Sequence, residues 1–164
     1  MPVASERVAL LYDKYADMLY RIAYSQLGSA HDAEDALQDV FTSFISADVD
    51  FASDEHEKAW FIRALVNRCH DHQRKAKHRT HDSIDDHGDI AAEDETEKTD
   101  SAQALAQLLS NLPEKIRSVI VLHYLEGYSV EEVARLTGTT SAAVKMRLSR
   151  GRAMIRKIGE NNDV

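Results

Sequence analysis

Between residues 140 and 158 the chain carries six lysines and arginines and no aspartate or glutamate. Side chains of this type bind phosphate, and when they share one face of a helix they suit the grooves of duplex nucleic acid. The segment in front of them, SVEEVARLTGTTSAAVKMRLSRGRAMIRK at 129–157, has the grammar of a helix-turn-helix. Ser129 with Glu132 forms a capping box for a short helix over Val130–Thr137. Ala134 is small where two helices must approach, and Gly138 can adopt positive φ in the turn. Ser141 is placed to cap a last helix whose inner stripe is Val144, Leu148, Gly151, Ile155 and Ile158. Lys145, Met146, Ser149, Arg150 and Arg152 then face outward. Those near the helix start can reach base edges, and later ones phosphates.

Other clusters are weaker. RKAKHR at 74–79 follows Trp60, Phe61, Arg63, Asn67 and Arg68, an interleaving that suits single-stranded nucleic acid or an ordinary core helix with a solvated face. The run DAEDALQDVFTSF from Asp32 holds Asp35 and Asp39 one turn apart, which fits a basic partner surface. Acidic residues in a first turn also simply favour a helix N-terminus. No nucleophile, His or Lys is held beside these carboxylates by spacing, so the chain is not expected to be an enzyme. Cys69 and His72 fall at i, i+3, with His70, His78, His81 and His87 nearby. No CxxC or HExxH spacing is present, so no metal site is assigned. GxxxxGK[ST] and GxGxxG are missing, and no cofactor is expected. His123 sits in an apolar helix and reads as a packed core residue.

The elements that position these groups read as helices. Val8, Leu11, Tyr15, Met18 and Ile22 step by three and four, and Gly28 ends the run. Asp32 precedes a second set, Ala33, Leu37, Val40 and Phe44. Residues 46–57 read as an acidic loop, with Asp54 and Glu57 as a capping box for a third helix through 74–79. Near the other end, Ala104, Leu105, Leu108 and Leu109 make a short helix. Pro113 suits the first turn of the next, whose buried face is Ile116, Ile120 and Tyr124, with Gly127 beyond its end. No alternating β-branched run is found, so the fold class is all-α with almost no strand.

The 164 residues carry a net charge of −8, unevenly spread. Residues 1–79 are net −3, 80–100 net −8 and 101–164 net +3. The middle segment has too few large apolar groups to offset ordering entropy. Two small helical domains, 1–79 and 102–164, are therefore expected, joined by a flexible acidic linker at 80–101. No run reaches the length of a membrane span, no signal peptide is visible, and the single Cys69 fits a reducing cytoplasm.

Three stretches together carry a resemblance: LYDKYADMLYRIAYSQLGSAHDAEDALQDVFTSF, WFIRALVNRCHDHQRK and LSNLPEKIRSVIVLHYLEGYSVEEVARLTGTTSAAVKMRLSRGRAMIRK. In this order and spacing they resemble a bacterial RNA polymerase sigma factor of the extracytoplasmic-function type, over residues about 5–79 and 102–158. The resemblance implies that the first domain docks on the clamp helices of the polymerase β′ subunit through Asp35, Gln38 and Asp39. It implies that Trp60–Arg74 opens the −10 promoter element, with Trp60, Arg63, Asn67, Arg68 and Arg74 as contacts and Asn67 in a pocket for a flipped base. It implies −35 recognition by the second domain through Ser141 and the recognition helix, with Lys145, Met146, Ser149 and Arg150 at base-reading positions and Arg147 and Arg152 near phosphates. Contact with the β subunit, a separate anti-sigma partner and an acidic linker threaded through the RNA path follow from the same resemblance; membrane insertion does not. The acidic 46–57 loop departs from a DNA-facing segment. Met146 and Ser149 shift readout toward thymine methyls and DNA shape. Two rival classes fit parts of the chain. A free-standing helix-turn-helix regulator explains 129–157, and a metal-responsive one would use Cys69 and its neighbouring histidines.

Overall fold

The computed structural model describes residues 5–82 and 100–162, and the side chains of 5–77 and 100–161 within them. Seven α-helices and one π-helical turn make up the described residues, with no strand among them. The first three are α1 (Ser5–Leu27), α2 (Ala30–Ala47) and α3 (Asp54–Asp82). The other four are α4 (Asp100–Leu109), α5 (Glu114–Ile120), α6 (Val130–Thr137) and α7 (Ser141–Asn162). The π turn, Val121–Leu125, continues α5. Residues 80–82 extend α3 and 100–101 open α4; the rest of the acidic 80–101 segment lies outside the described residues. No described helix is long and apolar enough to cross a membrane.

Helices α1–α3 pack through the expected face of α1, with Leu11, Tyr15 and Ile22 buried. They meet Ala33, Leu37, Val40 and Phe44 of α2 and Phe61, Leu65 and Cys69 of α3. Aromatic rings dominate this core. Phe61 lies 5.1–5.3 Å from the rings of Tyr15, Phe41, Phe44 and Trp60, the range of favourable offset and edge contacts. The start of α3 is tied to α1 by Glu57, which accepts from Tyr15 Oη at 2.7 Å and Lys14 Nζ at 3.0 Å. Burial and that bond push the Tyr15 hydroxyl up to about 12. Burial alone would raise Glu57, but the two donors hold it below the usual carboxylate value.

Four local expectations shift. The α3 cap is Ser53, whose hydroxyl accepts from His56 N at 3.1 Å. Glu57 cannot complete a box from Asp54 because its carboxylate is engaged with α1. The last helix is capped by Thr140, which accepts from Ala143 N at 3.1 Å, and Ser141 is its first residue. Pro113 is the N-cap itself, one residue before α5. Tyr124 is 51% exposed, although Ile116 and Ile120 are buried as expected. The π turn explains this last point. Glu126 N donates to Val121 O, five residues back, and the wider turn rotates Tyr124 off the face that Ile116 and Ile120 share. His123 is half-buried, with ring Nδ1 2.7 Å from Tyr128 O.

The C-terminal helices close around Gly151 of α7. A Cβ built there would stand 2.8 Å from Ile120 Cδ1 and 2.9 Å from Ile116 Cγ2. Glycine therefore sets how closely α5 and α7 approach. Gly151→Ala should destabilise the protein by about 1–3 kcal/mol through overpacking. Gly159→Ala, with nothing within 4 Å, should not destabilise it. Denaturant unfolding of both variants checks the pair.

Cys69 is fully buried, and burial pushes its thiol up to about 12, against the lowering effect of the Arg117 charge. It should stay unmodified by iodoacetamide at pH 8 in the folded protein and react fully in denaturant, as mass spectrometry would show.

Candidate nucleic-acid interfaces

The helix-turn-helix is built from its caps inward. Both halves of the capping box form: Ser129 Oγ accepts from Glu132 N at 3.1 Å, and Glu132 Oε1 accepts from Ser129 N at 2.8 Å. The bonds from Ser129 hold the Glu132 carboxyl below its ordinary value. Gly138 ends α6 at φ 70°, a left-handed conformation that glycine adopts without strain. Ala134, Val144 and Leu148 are buried where α6 crosses α7. That packing leaves Lys145, Met146, Ser149, Arg150 and Arg152 exposed along α7, with Ser141 and Arg147 half-buried at the rim. Arg152 is already engaged, donating to Tyr124 Oη at 2.9 Å.

On α3, Arg63, Asn67, Arg68 and Arg74 are exposed, and 63, 67 and 74 fall on one helical face. Trp60 is half-buried and packs against Phe44, Phe51 and Phe61. Arg68 turns toward α2, donating to Ser43 Oγ at 3.1 Å, and Arg74 pairs with Asp71. Arg68, Ser43, Thr42, Ser46, Ala47 and Asp39 line an open polar recess between α2 and α3. Asn67 does not line it. The hydroxyls of Thr42 and Ser43 were not singled out from the sequence. Their only signal is a position on α2 one turn from Asp39, and the crossing angle that makes a recess of them is a tertiary property.

On α2, Asp35, Gln38 and Asp39 are all exposed. Ser29 caps the helix by accepting from Asp32 N at 3.1 Å. Asp35 lies 3.4 Å from His31 Nε2 one turn back, and Asp32 lies 3.3 Å from His72 Nε2 on α3. Asp39 opens onto the recess, so one candidate for polymerase contact and one for promoter contact, Asp39 and Arg68, share a surface.

Cys69 and His72 of α3 have different surroundings. Cys69 points into the core, and His72 pairs with Asp32. His31, Asp32 and Asp35 are the one group of metal-ligating types that converges among the described residues. His87 lies outside the described residues, as do the side chains of His78 and His81.

Comparison with known proteins matches residues 11–79 to the Sigma-70 region 2 family and residues 102–155 to the Sigma-70 region 4 family. The chain is 32% identical over 158 residues to the ECF RNA polymerase sigma factor SigM of Mycobacterium tuberculosis, covering 95% of this chain and 80% of that protein. It is 29% identical over 161 residues to the ECF RNA polymerase sigma factor SigW of Bacillus subtilis, covering 90% and 86%. Among solved structures, the sigma factor RpoE of Bartonella quintana, crystallised with the anti-sigma factor NepR, has the same fold. Its TM-score is 0.73 at 22% identity, over 93% of this chain and 96% of that one. Two helical modules in this order, the second ending in a capped helix-turn-helix with a basic outer face, and relatives matched across nearly the whole chain place this protein in the extracytoplasmic-function RNA polymerase sigma factors, which direct promoter-specific transcription.

Proposed function

We propose that this chain binds core RNA polymerase through α2, melts the −10 promoter element with α3 and reads the −35 element with α7. The observation that carries the reading is the outer face of α7. There, exposed Lys145, Met146, Ser149 and Arg150 follow directly on a fully capped turn, with no acidic side chain before Glu160. A recognition helix needs its first two turns free of its own module and electropositive. Ser141 stands at the start of this face, and Arg147 and Arg152 flank it toward the phosphates.

The division of labour follows the charge. The N-terminal residues 1–79 are net negative, so Asp35, Gln38 and Asp39 suit a basic protein surface such as polymerase clamp helices. On α3 the exposed cations Arg63, Arg68 and Arg74 flank Asn67, whose amide can donate and accept toward an unpaired base. Trp60 supports that face from beneath, through its contacts with Phe44 and Phe61. We assign residues 1–79 and 102–164 as the two working domains. Regulation by a separate anti-sigma protein and action in the cytoplasm fit the same reading, and the chain works by binding rather than catalysis.

The first test is transcription in vitro with core polymerase, with and without this chain, on fragmented genomic DNA of its source. Discrete new transcripts sharing two upstream motifs are expected. None, beside an active control sigma, would overturn the proposal. Within that assay Arg150→Ala should cost about 1–3 kcal/mol of discrimination at one −35 position. Equal loss on every promoter would make Arg150 a phosphate contact instead. Asn67→Ala should reduce promoter opening, read by permanganate footprinting, while leaving polymerase affinity unchanged.

A further inference from the structure

Two histidines and two aspartates meet where α2 begins beside α3, and the promoter roles proposed above use neither histidine. His31 supplies an imidazole that no familiar metal motif places beside these carboxylates. It stands one turn before Asp35, with its Nε2 3.4 Å from Asp35 Oδ2. Residues four apart share one face of a helix, so this pair meets without distortion. Asp32 adds a second carboxylate. One ligand atom from each of His31, Asp32 and Asp35 lies within 4.8 Å of the other two.

These distances suit a metal ion. Ligand atoms bound at about 2.0–2.1 Å around a tetrahedral zinc stand about 3.3–3.4 Å from one another. The His31–Asp35 separation is already such an edge. Asp32 is held from two sides. Its backbone N–H donates to the capping Ser29 Oγ at 3.1 Å, which fixes the first turn of α2. Its Oδ2 lies 3.3 Å from Nε2 of His72, a half-buried residue of α3. Carboxylates that ligate metals are oriented by outer hydrogen-bond partners of this kind.

Charge and donor type narrow the ligand. A helix N-terminus carries about half a positive charge, which opposes a cation. Two carboxylates outweigh it, and a neutral imidazole adds a lone pair at no further cost in charge. Magnesium and calcium prefer all-oxygen surroundings, whereas a nitrogen donor among carboxylates suits zinc and its transition-metal neighbours. His31 and Asp35 are exposed, so solvent reaches the site and water can complete the coordination. We propose that His31, Asp32 and Asp35 bind a divalent transition-metal ion of the zinc type, with His72 as the positioning residue for Asp32. A bound ion takes up the Asp35 carboxylate, one of the three side chains assigned to polymerase docking, so occupancy weakens docking. That consequence rests on the docking role proposed above; the site itself does not.

Calorimetric titration of the full, metal-stripped chain with zinc chloride tests the site. The wild type should take up one equivalent more than His31→Ala. Zinc should raise the thermal midpoint of the wild type further than that of the variant, since an ion bound only to the folded state stabilises it. Circular dichroism should show equal helix content in the two chains. His72→Ala should keep the stoichiometry and weaken affinity about ten-fold. His72→Gln, whose amide can also donate to Asp32, should recover most of that loss. Wild-type stoichiometry and affinity in His31→Ala would overturn the proposal, and so would magnesium competing with zinc at equal concentration. Wild-type affinity in His72→Ala would overturn the positioning role. Half-maximal binding to core polymerase should need several-fold more wild-type chain with zinc than without, and the same amount of His31→Ala in both. Equal zinc sensitivity of the two chains, or none in the wild type, would overturn the effect on docking. Failure of the docking role itself looks different: Asp35→Asn would bind polymerase as well as the wild type with no zinc present.

Discussion

The arrangement of the whole chain turns on the guanidinium of Arg117. It donates to Gln26 O at 2.6 Å, Leu109 O at 2.9 Å and Leu112 O at 2.7 Å. These carbonyls lie at the C-terminal ends of α1 and α4 and in the turn before α5. Helix C-termini leave carbonyls without partners and carry partial negative charge, so a planar cation with five donors answers several at once. Gln73 Nε2 adds a fourth bond, to Gln26 O at 3.0 Å. One side chain thereby fixes where α1, α4 and α5 meet. Burial pulls the Arg117 guanidinium below its ordinary value, but the carbonyl cage favours the charged form that makes these bonds.

The surfaces proposed to meet DNA depend on rigidity behind them. The capping box at Ser129, the left-handed Gly138 and the Thr140 cap fix both ends of the turn between α6 and α7. The contact of Gly151 with Ile116 and Ile120 fixes the rotation of α7 about its axis. The stripe from Lys145 to Arg150 consequently faces out as a set. On α3 the same service comes from the ring cluster around Phe61, which holds the backbone beneath Arg63 and Asn67. Arg7 extends this support by stacking over Phe44 and Phe51 and donating to Val49 O, which steadies the acidic loop.

The overall charge of this sigma factor and the local charge of its last helix differ in sign. The net charge of −8 opposes free association with a polyanion. The basic face of α7 is local, and the two helical modules are packed together.

The sequence by itself determined the helices, their inward faces, the helix-turn-helix and the identity of the basic stripe. These are local properties, written in three- and four-residue spacing, in Ser129 with Glu132, and in Gly138. The family was legible for the same reason, since its motifs are runs of local pattern in a fixed order. Tertiary structure decided what local rules leave open. It sent Glu57 to Tyr15 instead of a capping box, because a long-range phenol and ammonium offered the better bonds. It turned Tyr124 outward, because a π turn carries more residues per turn than the periodicity assumes. It buried Cys69 in the core, and it joined Thr42 and Ser43 to Arg68 in one recess. Above all it brought Gln26, His70 and Ser118 together across 48 and 92 residues of chain. No spacing in the sequence encodes that meeting, because it depends on how two finished modules dock.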